Sequence, residues 1–181
     1  MKLGVRAIPA AFLLAIAFAV GCSDSSETLT LDEYFVVFPT IMADVWSQYD
    51  VLGDAFPERR TTEEDPYIDA NLPLLKDLFA EIPGIFGDAV DRLKALDPPS
   101  EVEDAHNDFT DAGETLVVAY EAQSDSIQDV ETAAEILTVI STEPSFFDAA
   151  TAFVNACYEL EDIGEANGFP YSHVCGDDGD H

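Results

Sequence analysis

Residues 68–99 read IDANLPLLKDLFAEIPGIFGDAVDRLKALDPP. In this stretch Ile68, Leu72, Leu75, Phe79, Ile82, Phe86, Leu93 and Leu96 recur at steps of three and four, with Ala89 and Val90 filling the remaining turn. That rhythm is one face of an α-helix; a strand would alternate every second residue. Pro73 fits the first turn, where its missing amide costs nothing. Pro83-Gly84 lies near the middle and predicts a kink. Asp97-Pro98-Pro99 stops the helix.

The same rhythm extends in both directions. Upstream, Thr30 and Glu33 have the spacing of a capping box. Phe35, Phe38, Met42, Val45, Tyr49, Leu52 and Phe56 then form a second apolar stripe. Pro39 is expected to kink or break this helix near Phe35, and a strand over 34–38 is the competing reading. Pro57 is expected to end it, with Glu58 to Pro66 as a charged loop. Downstream, Ser100 and Glu103 offer a second capping box. Val102, His106, Phe109, Gly113, Leu116 and Tyr120 make a third stripe, running to about Ser124. A short piece, Val130 to Ile140, carries Ala133, Ala134, Ile136, Leu137 and Ile140. The last long helix begins near Glu143-Pro144, buries Phe146, Ala150, Phe153, Cys157 and Leu160, and stops at Asn167-Gly168. Four long stripes and one short one predict an all-α domain over 30–168. The expected form is an antiparallel four-helix-bundle-like fold with kinked helices and a short extra helix across one end.

The termini read differently. Lys2 and Arg6 form a basic head, Ala7 to Val20 is apolar, and Gly21 and Cys22 close the segment. This is the layout of an export leader over 1–21. It is shorter than the roughly 20 apolar residues a spanning helix needs. Ala19-Val20-Gly21-Cys22 resembles the lipobox of bacterial lipoproteins, departing from it at Ala19, where leucine is commoner. The resemblance implies that Cys22 is acylated and anchors the chain to a membrane. The alternative is a conventional cleavage site at Ala17-Phe18-Ala19, which leaves Cys22 as a free thiol. Residues 22–29 read as a flexible tether. With Cys22 lipidated, the chain's 3 cysteines reduce to Cys157 and Cys175. In an exported protein these are expected to form a disulfide that ties an acidic tail, 169–181, back to the last helix. The junction from Leu93 through Glu101 to His106, and Ala156-Cys157-Tyr158-Glu159-Leu160 followed by Cys175, also look like secreted or lipid-anchored helical proteins of bacteria. That likeness implies an envelope protein and no established activity.

The whole chain has 37 acids and 7 bases, a formal charge of −30. Removing Lys2 and Arg6 with the leader leaves Arg59, Arg60, Lys76, Arg92 and Lys94 against the same 37 acids, or −32. Such a field repels nucleic acid, which is excluded as a partner. It reads as a solvated surface whose self-repulsion is screened by salt, with cation capture as the sharper alternative. An apolar content of 48% excludes disorder of the highly charged, weakly hydrophobic kind.

Chemistry has few candidates. Glu103 and His106 form one Glu-x-x-His on a helix, whereas a di-iron bundle site needs two such motifs. His106 therefore reads as an interface histidine bonded to a neighbour. His173, Asp177, Asp178 and Asp180 in the tail offer oxygen and imidazole ligands without the spacing of a calcium loop. No metal and no cofactor is expected. The aromatic residues, at helical spacing, read as core rather than as the lining of a ligand pocket. Nucleophile-elbow, phosphate-loop and zinc-protease motifs are missing. The sequence thus points to a non-catalytic, lipid-anchored, extracytoplasmic protein with a binding or structural role. Its partners would be a membrane, through the lipid, and an envelope protein or small ligand. The alternative is a ligand- or metal-binding lipoprotein that uses the bundle core or the acidic surface.

Overall fold

Thr30 sets the start of the first helix. Its amide and hydroxyl both donate to Glu33 Oε2, at 2.9 and 2.8 Å, and Glu33 N donates back to Thr30 Oγ1 at 3.3 Å. These bonds satisfy amides that the first turn leaves unpaired. They also hold the Glu33 carboxyl below its ordinary range, the backbone bond from Thr30 being the larger cause. The computed structural model describes residues 28–59, 69–169 and 175, with the backbone alone for 53–59. The expected leader 1–21, Cys22, most of the tether, the core of the 58–66 loop, and the tail other than Phe169 and Cys175 lie outside the described residues.

The described chain is all-helical: α1 (Leu31–Arg59), a 3₁₀ turn (Asp69–Asn71), α2 (Leu72–Lys94), α3 (Glu103–Gln128), α4 (Ala133–Thr142) and α5 (Pro144–Ala166). Residues 34–38 are helical, which removes the strand reading. α3 packs against α2 and α5, and α2 against α1. The pairings descend along one helix as they ascend along its neighbour. Asp44 and Trp46 of α1 meet Arg92 and Phe86 of α2. Phe109 and Tyr120 of α3 meet Phe153 and Phe146 of α5.

Several boundaries differ from expectation, each for a local reason. Pro39 does not break α1. A proline removes its own amide bond and crowds the carbonyl four residues back, and next to it Thr40 Oγ1 donates to the Val36 carbonyl at 2.7 Å. α1 also continues past Pro57 to Arg59, since residues beyond a proline can still donate to the preceding turn. α2 likewise runs through Pro83, with Pro73 in its first turn. The second expected capping box does not form. Val102 N donates to Pro99 O at 3.0 Å, so a turn occupies 99–102 and α3 starts at Glu103 with Val102 as its cap. Ser100 Oγ instead donates to Glu101 Oε2 at 3.2 Å. α3 runs one turn past Ser124, to Gln128, because Ile127 is fully buried in a second small core. The last two tether residues belong to the domain. Thr28 Oγ1 donates to Asp97 Oδ2 at 2.8 Å and Leu29 N to Asp97 O at 2.9 Å.

α4 starts on a capping box that does form, Thr132 with Glu135, and its first amide, Ala133 N, donates to Asp69 Oδ1 at 3.0 Å. Leu75, Ile127, Ala133 and Ile136 make the small core where α4 meets the ends of α2 and α3. α5 ends as expected. Gly168 takes a positive φ of 86°, Gly168 N donates to Glu165 O at 3.0 Å, and Phe169 N to Gly164 O at 2.9 Å. This is the Schellman pattern, and it sets Phe169 against Phe35 with ring centres 5.0 Å apart.

The main core draws on α1, α2, α3 and α5, with Tyr34, Phe38, Phe109 and Leu160 among its fully buried side chains. Gly113 lies where α3 meets both α2 and α5. A Cβ there would stand 2.8 Å from Val90 Cγ2 and 3.6 Å from the Phe153 ring. Val90 is short and stiff at χ1, so it cannot swing aside cheaply. At Gly84, by contrast, a Cβ would meet nothing within 4 Å. Gly84→Ala is expected to stabilise the protein by about 0.5–1 kcal/mol through helix propensity. Gly113→Ala is expected to forfeit that gain to overpacking that costs about 1–3 kcal/mol. Urea midpoints of the two variants test this, and an equal rise in both would contradict the close approach.

The scarce cations of α2 tie it to its neighbours. Arg92 pairs with Asp44 of α1 at 2.5 Å, and Lys94 pairs with Glu114 of α3. Lys76 Nζ donates to the carbonyls of Gln128 and Val130, at 2.7 and 2.8 Å, where the end of α3 presents its unpaired acceptors. Exposed pairs of this kind contribute about 0–1 kcal/mol each, so they set register more than stability.

Candidate functional site

The buried polar centre of the bundle is Tyr34 with His106. Tyr34 comes from the first full turn of α1 and is 0% exposed; His106, from the first turn of α3, is 3% exposed. Tyr34 Oη lies 3.0 Å from His106 Nδ1. Burial holds the His106 pKa below the ordinary imidazole value, and a hydrogen bond to the Leu93 backbone opposes the shift. With one nitrogen donating to that carbonyl, Nδ1 accepts from the tyrosine hydroxyl; this tautomer is assigned from the partners. The ring is thus a neutral interface group. Glu103, three residues earlier, is on the exposed side of the helix, so the Glu-x-x-His pair does not converge. Among the described residues no cluster of three or more His, Cys, Asp or Glu could hold a metal. His173, Asp177, Asp178 and Asp180 lie outside them.

The buried neutral histidine sets a pH dependence. Unfolded, His106 titrates near 6.5; folded, it titrates lower. Above both values neither state is protonated and the stabilisation is complete. As pH falls below about 6.5 the unfolded state gains a proton that the folded state refuses, and stability is lost. Wild type is expected to lose more stability than His106→Gln between pH 7.5 and 5.5, the carboxylates being common to both. Parallel urea curves at the two pH values check it, and equal losses would contradict a neutral buried ring.

A chain of ring contacts leads away from this pair. Tyr34 stacks on Phe38 at 5.9 Å, Phe38 meets Phe109 edge-on at 5.3 Å, and Phe109 meets Phe153 at 4.6 Å. Phe153, Phe86, Tyr120 and Phe146 continue it, with Phe86 stacked on Tyr120 at 5.0 Å. Burial pushes the Tyr120 hydroxyl well above the ordinary tyrosine range. These rings belong to the core or pack against it. One polar atom in the interior lacks a partner among the described residues: Gln123 Nε2, on a side chain 2% exposed.

Cys157 and Cys175 are bonded, with Cα atoms 5.6 Å apart. Both are buried, and Cys175 N donates to Glu161 Oε1 at 3.1 Å. Residue 175 is thereby fixed against α5.

A feature that sequence reasoning missed is a groove of about 470 Å³ between the outer faces of α2 and α3. Gly87, Val90, Val117 and Val118 form its apolar floor, and Asp91, Glu114 and Glu121 its rim. A second depression lined by Asp111, Thr115 and the same Glu114 and Val118 continues it along α3. Val118 is 63% exposed. The available sequence signal was weak: two glycines three apart on α2, and adjacent valines on α3 outside its apolar stripe.

Comparison with family models, with curated proteins and with solved structures finds no match for this chain.

Proposed function

We propose that the protein is a non-catalytic domain held by lipid on the outer side of a bacterial membrane, where it binds an envelope partner or a small ligand. The observation that carries this reading is the Cys157–Cys175 bond. Such bonds persist in oxidising, extracytoplasmic compartments. The bond also accounts for two of the three cysteines and leaves Cys22 at the end of the basic-apolar leader, where the lipobox resemblance puts the acylated residue. No helix of the described residues is long and apolar enough to cross a membrane. The non-catalytic part of the reading is supported by His106, whose Nδ1 is committed to Tyr34 inside the core. The groove between α2 and α3 favours binding over a purely structural role.

Acyl chains contribute about 0.8 kcal/mol per buried CH₂, and stable anchoring takes more than one chain. Cys22→Ser is therefore expected to move the protein from the membrane fraction to the soluble fraction, with loss of the acyl mass from the N-terminal peptide. A variant that is processed normally and stays with the membrane would sink the lipid-anchor reading.

A further inference from the structure

We propose that the α2–α3 groove is the docking site for a basic amphipathic helix of a partner protein. The floor is apolar and lies open although residues that would close it fit the fold. Gly87 sits mid-helix, where glycine costs about 1 kcal/mol relative to alanine, and a Cβ there would meet nothing within 4 Å. Any larger residue would stand in the groove. Val118 stays exposed on the same face. The groove follows α3 from Asp111 to Glu121, about 15 Å at 1.5 Å per residue. That length accommodates nearly three turns of a second helix, whose apolar residues at i, i+3, i+4 and i+7 would lie along the floor.

Charge identifies the occupant. Both walls carry carboxylates: Asp91 from α2, and Asp111, Glu114 and Glu121 from α3. Lys94 pairs with Glu114 and also feels the charges of Asp111 and Asp91, so one cation stands against four rim carboxylates and the rim stays net negative. Lysines or arginines flanking an apolar seam complement this rim. A second copy of the chain would bring carboxylates against carboxylates, which is repulsive. A small ligand is better held by an enclosed pocket than by a trough open along its length. The proposal gives the binding role its surface and is independent of the anchor, since Cys22→Ser leaves the groove unchanged.

The test uses the full chain and a synthetic helical peptide of about 14 residues, leucines along one face and lysines along the other, with a scramble of the same composition as control. Fluorescence anisotropy at about 0.15 M salt is expected to show saturable binding of the amphipathic peptide, about tenfold or more tighter than the scramble. Gly87→Leu, which fills the floor without changing charge, is expected to weaken binding by about tenfold with the melting temperature preserved. Val118→Ser, at an exposed position, is expected to weaken it as well and serves if Gly87→Leu does not fold. Equal binding of peptide and scramble, or full affinity in Gly87→Leu or Val118→Ser, would show that only the overall negative field attracts the probe, and would overturn the proposal.

Discussion

Phe109→Ala is expected to lower the unfolding free energy by about 3–5 kcal/mol. Phe109 is 0% exposed and projects from α3 between two other helices. Its ring meets Phe38 of α1 at 5.3 Å and Phe153 of α5 at 4.6 Å. Truncation removes the transfer energy of the ring and opens a cavity. Neighbours fixed on two different helices cannot close it together. It also breaks two ring pairs, each worth roughly 0.5–1.5 kcal/mol beyond the area they bury. Domains of this size have about 5–15 kcal/mol in total, so the variant should stand near its folding threshold. Urea denaturation gives the measurement, and an unchanged m-value would confirm that the loss is in stability rather than compactness. A loss under about 1 kcal/mol would mean that α3 is not clamped between α1 and α5 at this point.

Removing the disulfide is expected to cost about 3 kcal/mol. The bond spans a sequence separation of 18, and in the chain-entropy model a loop near that length restricts the unfolded state by about this amount. The bridge is also what brings buried Cys175 against Cys157, inside α5. The double variant Cys157→Ala, Cys175→Ala should show the full loss and no response to reductant. Wild type should match it only after reduction. A wild type whose urea midpoint is unmoved when thiol titration shows the bond cleaved would contradict the expectation.

Much of the fold was legible because it is encoded locally. Thr30 and Glu33 are three residues apart, and their capping box closes within the first turn of α1. Asn167-Gly168 stops α5 because glycine takes a φ of 86° without strain. The apolar stripes through Leu75, Phe86, Phe109 and Phe153 mark the buried faces directly. The failures are also local readings, overruled by packing. Ser100 and Glu103 had the right spacing for a cap. Val102, 1% exposed, instead enters the core and draws the chain into a turn over 99–102. Pro39 reads as a helix breaker, yet the stripe from Phe35 to Val45 buries on both sides of it, and one missing amide bond is a smaller loss than that burial.

The sequence by itself determined the helical class, the placing of the long helices and the scarcity of bases. These follow from periodicity, composition and counting, which need no knowledge of neighbours. The Cys157–Cys175 pairing is an expectation that rests on Cys22 being lipidated, and the structure shows the bond. Only the tertiary structure decided that His106 answers to Tyr34, 72 positions away, rather than to Glu103 three positions before it. It alone showed that a Cβ at Gly113 would crowd Val90 while one at Gly84 would meet nothing, and that Gly87, Val117 and Val118 line an open groove. Each of these depends on which side chain of another helix stands opposite, and that is set by how the bundle packs.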